Sequence, residues 1–296
     1  MSEALDAVES RWERSVPLPK IDAAMLAAHL APWPELHGRA WTVLGGGLRS
    51  LNLRCDERVL RIGSELGKEA ALLRLAAELG VRVPRVLDQS PTALLLEFVP
   101  HEPLPATEVA GRKVAEAAVR IHGHRFEHAG MLGTDLSVSE PFAGGLDGLL
   151  AWAQGLLSGI AGERLGAERR AALEALWREH DAALRDATRA SVLVHSDFKP
   201  TNIHWLPDEA DVLVLDWEFA WSGPGLYDLG MVLRWSPPEP FVRGLEAATP
   251  DLPKDWRRLA ELLDLFNLVG FMDATTARSR RDRDVLRRID RTLGQG

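Results

Sequence analysis

The sequence predicts an α+β fold of two unequal lobes, a small sheet-rich one and then a larger helical one, with the boundary near residues 97–101. Three observations carry this. Strand-like runs bounded by turn residues crowd into residues 41–99. Beyond Pro100 the apolar residues recur mainly at helical spacing. An island of short apolar runs at 191–215 interrupts those helices. The chain has 296 residues, 46% hydrophobic and 26% charged, enough to bury a substantial core. Residues 1–99 are read as the N-terminal lobe, with a helical extension over 1–36, and residues 100–296 as the C-terminal lobe.

The elements follow in order. Residues 2–16 read as a mixed-charge helix. Asp22 is placed to cap a helix over 23–30, which Pro32 and Pro34 stop. A strand over 41–44 runs into Gly45-Gly46-Gly47. Strands at 51–55 and 58–62 flank an Asp56-Glu57 turn. A helix over 67–80 sets Ala71, Leu72, Leu75, Ala76 and Leu79 on one face. Strands at 86–87 and 93–99 complete the first lobe. Helices are expected over 107–122, 148–160 and 167–184, then strands over 191–195, 203–206 and 212–215. Asp228 is placed to cap a helix through 234. The span 256–272 is the most hydrophobic helix and reads as core, and 282–293 is a charged terminal helix.

Composition narrows the function. A formal charge of −8 argues against a duplex-binding protein, which usually carries a basic face, and suits a cationic small molecule better. The single cysteine, Cys55, excludes an intrachain disulfide and a cysteine-rich zinc module. No basic and apolar leader opens the chain and no apolar run reaches the ~18 residues of a membrane span, so a cytoplasmic protein without a membrane partner is expected. His122, His124 and His128 lack carboxylate or thiolate company at helical spacing and read as packing or capping residues. Gly223-Pro224-Gly225 is a turn, not a dinucleotide fingerprint.

The most informative stretch is His195-Ser196-Asp197-Phe198-Lys199-Pro200-Thr201-Asn202, set between two strands. Further on, Val212-Leu213-Val214-Leu215 delivers Asp216, then Trp217 and Glu218. Phosphoryl transfer needs one carboxylate beside the acceptor hydroxyl and oxygen ligands on Mg²⁺. The H-x-D-x-x-x-x-N loop supplies the carboxylate and one ligand, and the strand ending at Asp216 supplies another. A plain turn between strands would use similar residues, but not two metal-competent groups and a base each at the end of an apolar strand.

This pair of motifs resembles the aminoglycoside phosphotransferase and choline kinase superfamily, over residues 41 to 272. The resemblance implies a bilobal protein-kinase-like fold with an antiparallel sheet in its small lobe. It also implies ATP and Mg²⁺ as cofactors. Asp197 would be the catalytic base, and Asn202 and Asp216 the metal ligands. His195 would hold the loop, and Asp228 would brace it from below. Lys199, in a D-x-K arrangement, would help neutralise the transferred group, against the alternative of a solvent-facing turn lysine. Gly45, Gly46, Gly47 and Ser50 lie where a glycine-rich loop would fold over phosphates. Arg61 stands where the family has a phosphate-binding lysine or arginine, with Glu69 as its partner, against the alternative of a surface ion pair. The carbonyl of Glu97 and the N–H of Val99 would meet adenine's edge at the hinge.

The implied function is ATP- and Mg-dependent transfer of a γ-phosphate to a hydroxyl of a small cationic molecule of the aminoglycoside, amino-sugar or choline kind. A protein Ser/Thr kinase and a non-catalytic nucleotide-binding module are the alternatives. Against the protein kinase, Ser196 replaces the arginine of H-R-D, and only eleven residues separate Asp216 from Asp228. The acceptor pocket is expected among 142–160, 221–235 and 261–273. There Glu261, Asp264 and Asn267 share a helical stripe that either faces a cation or is a solvated outer face. Trp152, Trp221 and Trp235 could form a cation–π box or could pack in the core.

Overall fold

The structure, a computed structural model, describes residues 12–13, 22–44 and 50–294. Of the helix expected over 2–16 only residues 12 and 13 are described, neither of them helical, and the Gly45-Gly46-Gly47 loop lies outside the described residues.

Helix α1, Ala23–Leu30, opens where Asp22 Oδ1 accepts the Met25 N–H at 2.8 Å, the expected cap. Five strands follow in one antiparallel sheet: β1 Thr42–Leu44, β2 Leu51–Cys55, β3 Arg58–Ile62, β4 Val86–Gln89 and β5 Ala93–Glu97, in spatial order β1-β2-β3-β5-β4. The β2–β3 hairpin turns at Asp56, whose φ of 50° is the left-handed geometry that aspartate tolerates. Strand β5 is apolar on both faces. Ala93 and Leu95 pack with Leu51, Leu53 and Leu60 against Leu30, Trp33 and Leu36. Leu94 and Leu96, on the opposite face, join the main core with helix α2, Leu66–Glu78. The N-terminal segment thus covers the outer face of the sheet, and Trp33 Nε1 fastens it by donating to Asp88 Oδ2 at 2.8 Å.

Helix α2 buries Leu66, Ala70, Leu72, Leu73 and Ala76, while Ala71 is only half-buried. Its inward stripe is turned from the expected one because it also carries Glu69 toward Arg61 on β3.

The remaining chain is mainly helical. Strand β6, Glu102–Pro103, precedes α3, Glu108–His122, which Thr107 caps through the Ala110 N–H at 3.2 Å. Then come β7 Gly130–Leu132, β8 Val138–Pro141, α4 Gly145–Leu157, α5 Ile160–Glu179, α6 Asp181–Ala187, β9 Val192–Val194, β10 Ile203–Leu206, β11 Asp211–Val214, β12 Trp221–Gly223, α7 Leu226–Arg234, α8 Glu239–Ala248, α9 Trp256–Met272 and α10 Ser279–Leu293. The helix expected over 148–160 starts and ends three residues earlier. That expected over 167–184 divides, because α5 begins at Ile160, bends at Gly166 (φ 78°) and stops at Glu179 before α6. Helix α8 and strands β6, β7, β8 and β12 are additional elements, most of them too short for periodicity to register.

The strand island splits between two sheets. Strand β9 joins β8-β7-β12-β9, whereas β10 and β11 join β11-β10-β6. Helix α9 lies at the centre of the helical part, with Leu262, Leu263, Leu265 and Phe266 inaccessible and Trp177 of α5 stacked on Phe266 at 4.3 Å. Helices α3 and α8 cross at paired glycines. A Cβ on Gly111 would stand 2.0 Å from the Phe241 carbonyl oxygen, and one on Gly244 would stand 2.0 Å from that of Glu108. Only glycine permits that approach. Among the described residues no helix is long and apolar enough to cross a membrane.

Candidate active site

The two chemistry-bearing loops meet because β10 and β11 pair. Ile203 faces Val214 in register, and the ladder runs one step further as the Leu215 N–H donates to the Asn202 carbonyl at 2.9 Å. Asn202 and Asp216 therefore leave the sheet side by side.

Within the first loop the chemistry-bearing side chains are held by hydrogen bonds and an ion pair. His195 is inaccessible; its Nε2–H donates to the Leu215 carbonyl at 3.0 Å, and its Nδ1 accepts the Asp197 N–H at 3.2 Å. These bonds require the neutral imidazole, and burial holds its pKa below the usual histidine value. Its ring packs edge-on to the buried Trp217. Asp197 Oδ2 accepts from Asn202 Nδ2 at 2.7 Å, and its Oδ1 lies 2.9 Å from Lys199 Nζ. Lys199 is 8% exposed, so the reading as a solvent-facing turn lysine does not hold. The Asn202 amide nitrogen also donates to the Asp197 carbonyl, leaving Oδ1 as that side chain's outward acceptor.

Asp228 sits beneath the loop. Its Oδ2 accepts the His195 N–H at 2.9 Å and a bond from His122 Nε2 at 3.0 Å, and its Oδ1 accepts the Ser196 N–H at 2.9 Å. It lies inside α7 rather than at its start, so it does not cap its own helix: Gly225 is the N-cap residue. Gly225 is itself constrained, because a Cβ there would come within 2.8 Å of the His122 ring. His122 thus fulfils its expectation as a packing histidine. Ser196 and Asp216 both adopt φ 66°, a left-handed geometry that costs a non-glycine residue on the order of 1 kcal/mol.

Arg61 joins the sheet to this site. Its Nε donates to Glu69 Oε2 at 2.7 Å and its Nη2 to Asp216 Oδ1 at 2.6 Å. With side-chain exposures of 6% and 4%, Arg61 and Glu69 are not a surface pair. Burial acts to lower the Arg61 pKa, but Glu69 and Asp216 outweigh it and hold the guanidinium above its ordinary value. Burial pushes the Glu69 carboxyl up, against the pull of Arg61. A further acid, Glu218, brings Oε2 within 4.0 Å of the same guanidinium. Its signal was the acid two residues beyond Asp216, which sequence reasoning passed over.

The other predicted nucleotide residues are less gathered. Ser50 is buried at the foot of β2, with Gly63 opposite, where an added Cβ would stand 3.0 Å from its Oγ. Glu97 ends β5 with its side chain engaged by Arg82 at 3.6 Å and by the Arg85 N–H at 3.3 Å, so its carboxylate is structural. Among the described residues the Val99 N–H has no hydrogen-bond partner, and the Val99 carbonyl accepts from His101 Nδ1 at 2.7 Å.

Of the alternatives left open for the acceptor pocket, the structure favours those that bind no cation. Asp264 is buried and chelated by Arg234, whose Nε stands 2.8 Å from Oδ2, so it offers no charge to a cationic acceptor. Glu261, on the same stripe, is exposed and paired with Arg258 at 3.6 Å. The three tryptophans form no box. Trp221 packs on Phe142 and Tyr227, Trp235 lies under the Arg288 guanidinium, and Trp152 rests over Gly270. Ion pairing takes Asp264 and packing takes Trp221 and Trp235, whereas Glu261 and Trp152 are exposed.

Oxygen donors are what a magnesium ion takes when nucleotide phosphates supply its remaining ligands. The carboxylate of Asp216 and the outward amide oxygen of Asn202 fit that pattern. Among the described residues no cluster of three or more His, Cys, Asp or Glu could hold a metal by itself.

The sequence profile of the phosphotransferase enzyme family matches residues 36–262. The chain belongs to that family and is a phosphotransferase enzyme. Its fold is similar to that of the wild-type aminoglycoside 2'-phosphotransferase-IIIa in its GDP complex, with TM-score 0.73, 16% identity, and coverage of 93% of this chain and 99% of that one. It is also similar to ADP-bound aminoglycoside phosphotransferase APH(2'')-Ib, with TM-score 0.67, 17% identity, and coverage of 93% and 99%. A third likeness is to a putative fructosamine-3-kinase from Thermobifida fusca, with TM-score 0.64, 19% identity, and coverage of 92% and 100%. No curated protein matches the sequence.

Proposed function

We propose that the protein transfers the γ-phosphate of Mg·ATP to a hydroxyl of a small molecule. Residues 1–99 would form the nucleotide lobe and residues 100–296 the catalytic and acceptor lobe. The observation that carries this reading is the closed constellation of Asp197, Lys199, Asn202, Asp216, Arg61 and Glu69, assembled by the β10–β11 register and the Arg61 fork.

In this reading Asp197 accepts the proton of the attacking hydroxyl. Asn202 fixes the carboxylate's orientation, so no rotamer has to be selected during the reaction. Lys199, already against Asp197, places positive charge beside the oxygen that attacks. Arg61, oriented by Glu69, holds the α- and β-phosphates. Asn202 Oδ1 and Asp216 would hold Mg²⁺, which when bound neutralises charge on the phosphate oxygens. Gly45, Gly46 and Gly47, with Ser50, would close over the phosphates. The Glu97 carbonyl and Val99 N–H would meet the base.

A small acceptor is favoured over a protein one by the segment between Asp216 and Asp228. It is occupied by β12, paired on both edges, and by the start of α7, which leaves no span for a phosphorylated activation loop. The relatives named above act on different small molecules by their names, so the acceptor class is ours to propose. The net charge of −8 supports a cationic one of the aminoglycoside, amino-sugar or choline kind.

The test is ADP release from Mg·ATP across a panel of aminoglycosides, amino sugars, choline and homoserine, with Asp197→Ala as the blank. Acceptor-dependent turnover that falls at least ~10³-fold in the variant supports the reading. Full activity of Asp197→Ala removes Asp197 as the base.

A further inference from the structure

The stretch after β5 holds a histidine that the nucleotide reading does not use. His101 donates its Nδ1–H to the carbonyl of Val99 at 2.7 Å, and its ring packs on His204 with centroids 4.3 Å apart. The position is fixed from both sides. Strand β6 begins one residue later and pairs with β10, His204 opposite Pro103 and Trp205 opposite Glu102.

Val99 precedes Pro100, which confines it to the extended region. In an extended residue the N–H and the carbonyl point roughly toward the same edge. The Val99 carbonyl therefore belongs to the same edge as its unpartnered N–H, the edge that would receive the base. Three backbone groups stand there in order: the Glu97 carbonyl, the Val99 N–H and the Val99 carbonyl.

Adenine and guanine use different pairs of these groups. Adenine presents a donor at N6 and an acceptor at N1, which match the Glu97 carbonyl and the Val99 N–H. Guanine presents an acceptor at O6 and a donor at N1, which match the Val99 N–H and the Val99 carbonyl. His101 already occupies the group that guanine alone needs.

We infer that His101 is a specificity-determining residue that biases the site toward adenine nucleotides by engaging the Val99 carbonyl. The inference rests on the nucleotide reading of the preceding subsection. A carbonyl has two lone pairs, so His101 weakens guanine binding without abolishing it. The expected size is that of one neutral hydrogen bond, roughly fivefold.

The test is calorimetric titration of Mg·ADP and Mg·GDP into the full chain and into two variants lacking the donor, His101→Ala and His101→Leu. His101 is exposed, so both substitutions leave the core untouched. The parent is expected to prefer ADP, and in both variants the ADP-to-GDP affinity ratio is expected to fall by roughly fivefold through a gain in GDP binding. A merely structural histidine would weaken both nucleotides together. A ratio that stays within about twofold of the parent in either variant overturns the inference while leaving the nucleotide reading intact. Absence of binding by the parent to both nucleotides overturns the nucleotide reading and this inference with it.

Discussion

Asp228 satisfies two consecutive backbone N–H groups, those of His195 and Ser196, and a histidine on α3, while itself inaccessible to water. Substitution by alanine strands two donors at the base of the loop that carries Asp197. Asp228→Ala is therefore expected to lose about 3 kcal/mol or more in denaturant unfolding, and to lose turnover as well. Ser196 poses the opposite case. Its φ of 66° strains any side chain, so Ser196→Gly is expected to raise stability by about 1 kcal/mol, read as a higher thermal midpoint. The sequence pointed to both Asp228 and the loop, because the motif residues are contiguous or at fixed spacing. It misassigned Asp228 as the cap of its own helix, since the pattern of an aspartate before an apolar run does not say which backbone the carboxylate reaches. The contacts of Glu218, Arg234 and His101 were not legible. Glu218 and Arg234 meet partners far away in the chain, and the bond from His101 to the nearby Val99 carbonyl depends on a local backbone path that spacing does not reveal.

At the scale of elements, long periodic segments were readable and short or paired ones were not. Strands β2 and β3 and helix α9 coincide with their expected bounds because each carries an unbroken pattern with a clear stop. The four short strands β6, β7, β8 and β12 exist through their partners, and an edge pair of two residues has no intrinsic signature. The α3–α8 crossing depends on glycines. Gly244→Ala would drive a Cβ to 2.0 Å from the Glu108 carbonyl oxygen, backbone that cannot yield. A loss of about 3 kcal/mol in unfolding free energy is expected. Helix α10 is held at its start by Glu13, whose carboxylate accepts the Arg280 N–H at 3.0 Å and the Arg281 N–H at 3.3 Å. The Arg280 N–H above all lowers the Glu13 pKa from 4.5 to about 2. A depressed acid stabilises the fold above its unfolded pKa and loses that contribution as the pH falls through its folded one. Glu13→Ala is thus expected to lower the thermal midpoint at pH 7. That deficit should shrink as the pH is taken from about 4.5 toward 2. An unchanged deficit across that range would remove the charged cap from the account.

For the whole molecule, the Arg61 fork joins the five-stranded sheet to the loop that leaves β11, across 155 residues of sequence. Helix α2 and the helical part share one hydrophobic cluster, so the sheet and the catalytic loops are supported by common packing. The expected α+β architecture and the meeting of both loops were legible because they follow from strand order and motif spacing. The acidic stripe on α9 stayed open between two readings, because only the folded chain reveals that Asp264 is taken by Arg234. In the proposed mechanism Asp216 serves the nucleotide's metal and phosphates while Asp197 serves the acceptor. Calorimetric titration of Mg·ADP into the parent, Asp197→Ala and Asp216→Ala tests that division most directly. The prediction is binding within about threefold of the parent for Asp197→Ala, and binding weakened by about tenfold or more for Asp216→Ala. Undiminished Mg·ADP binding by Asp216→Ala would contradict it.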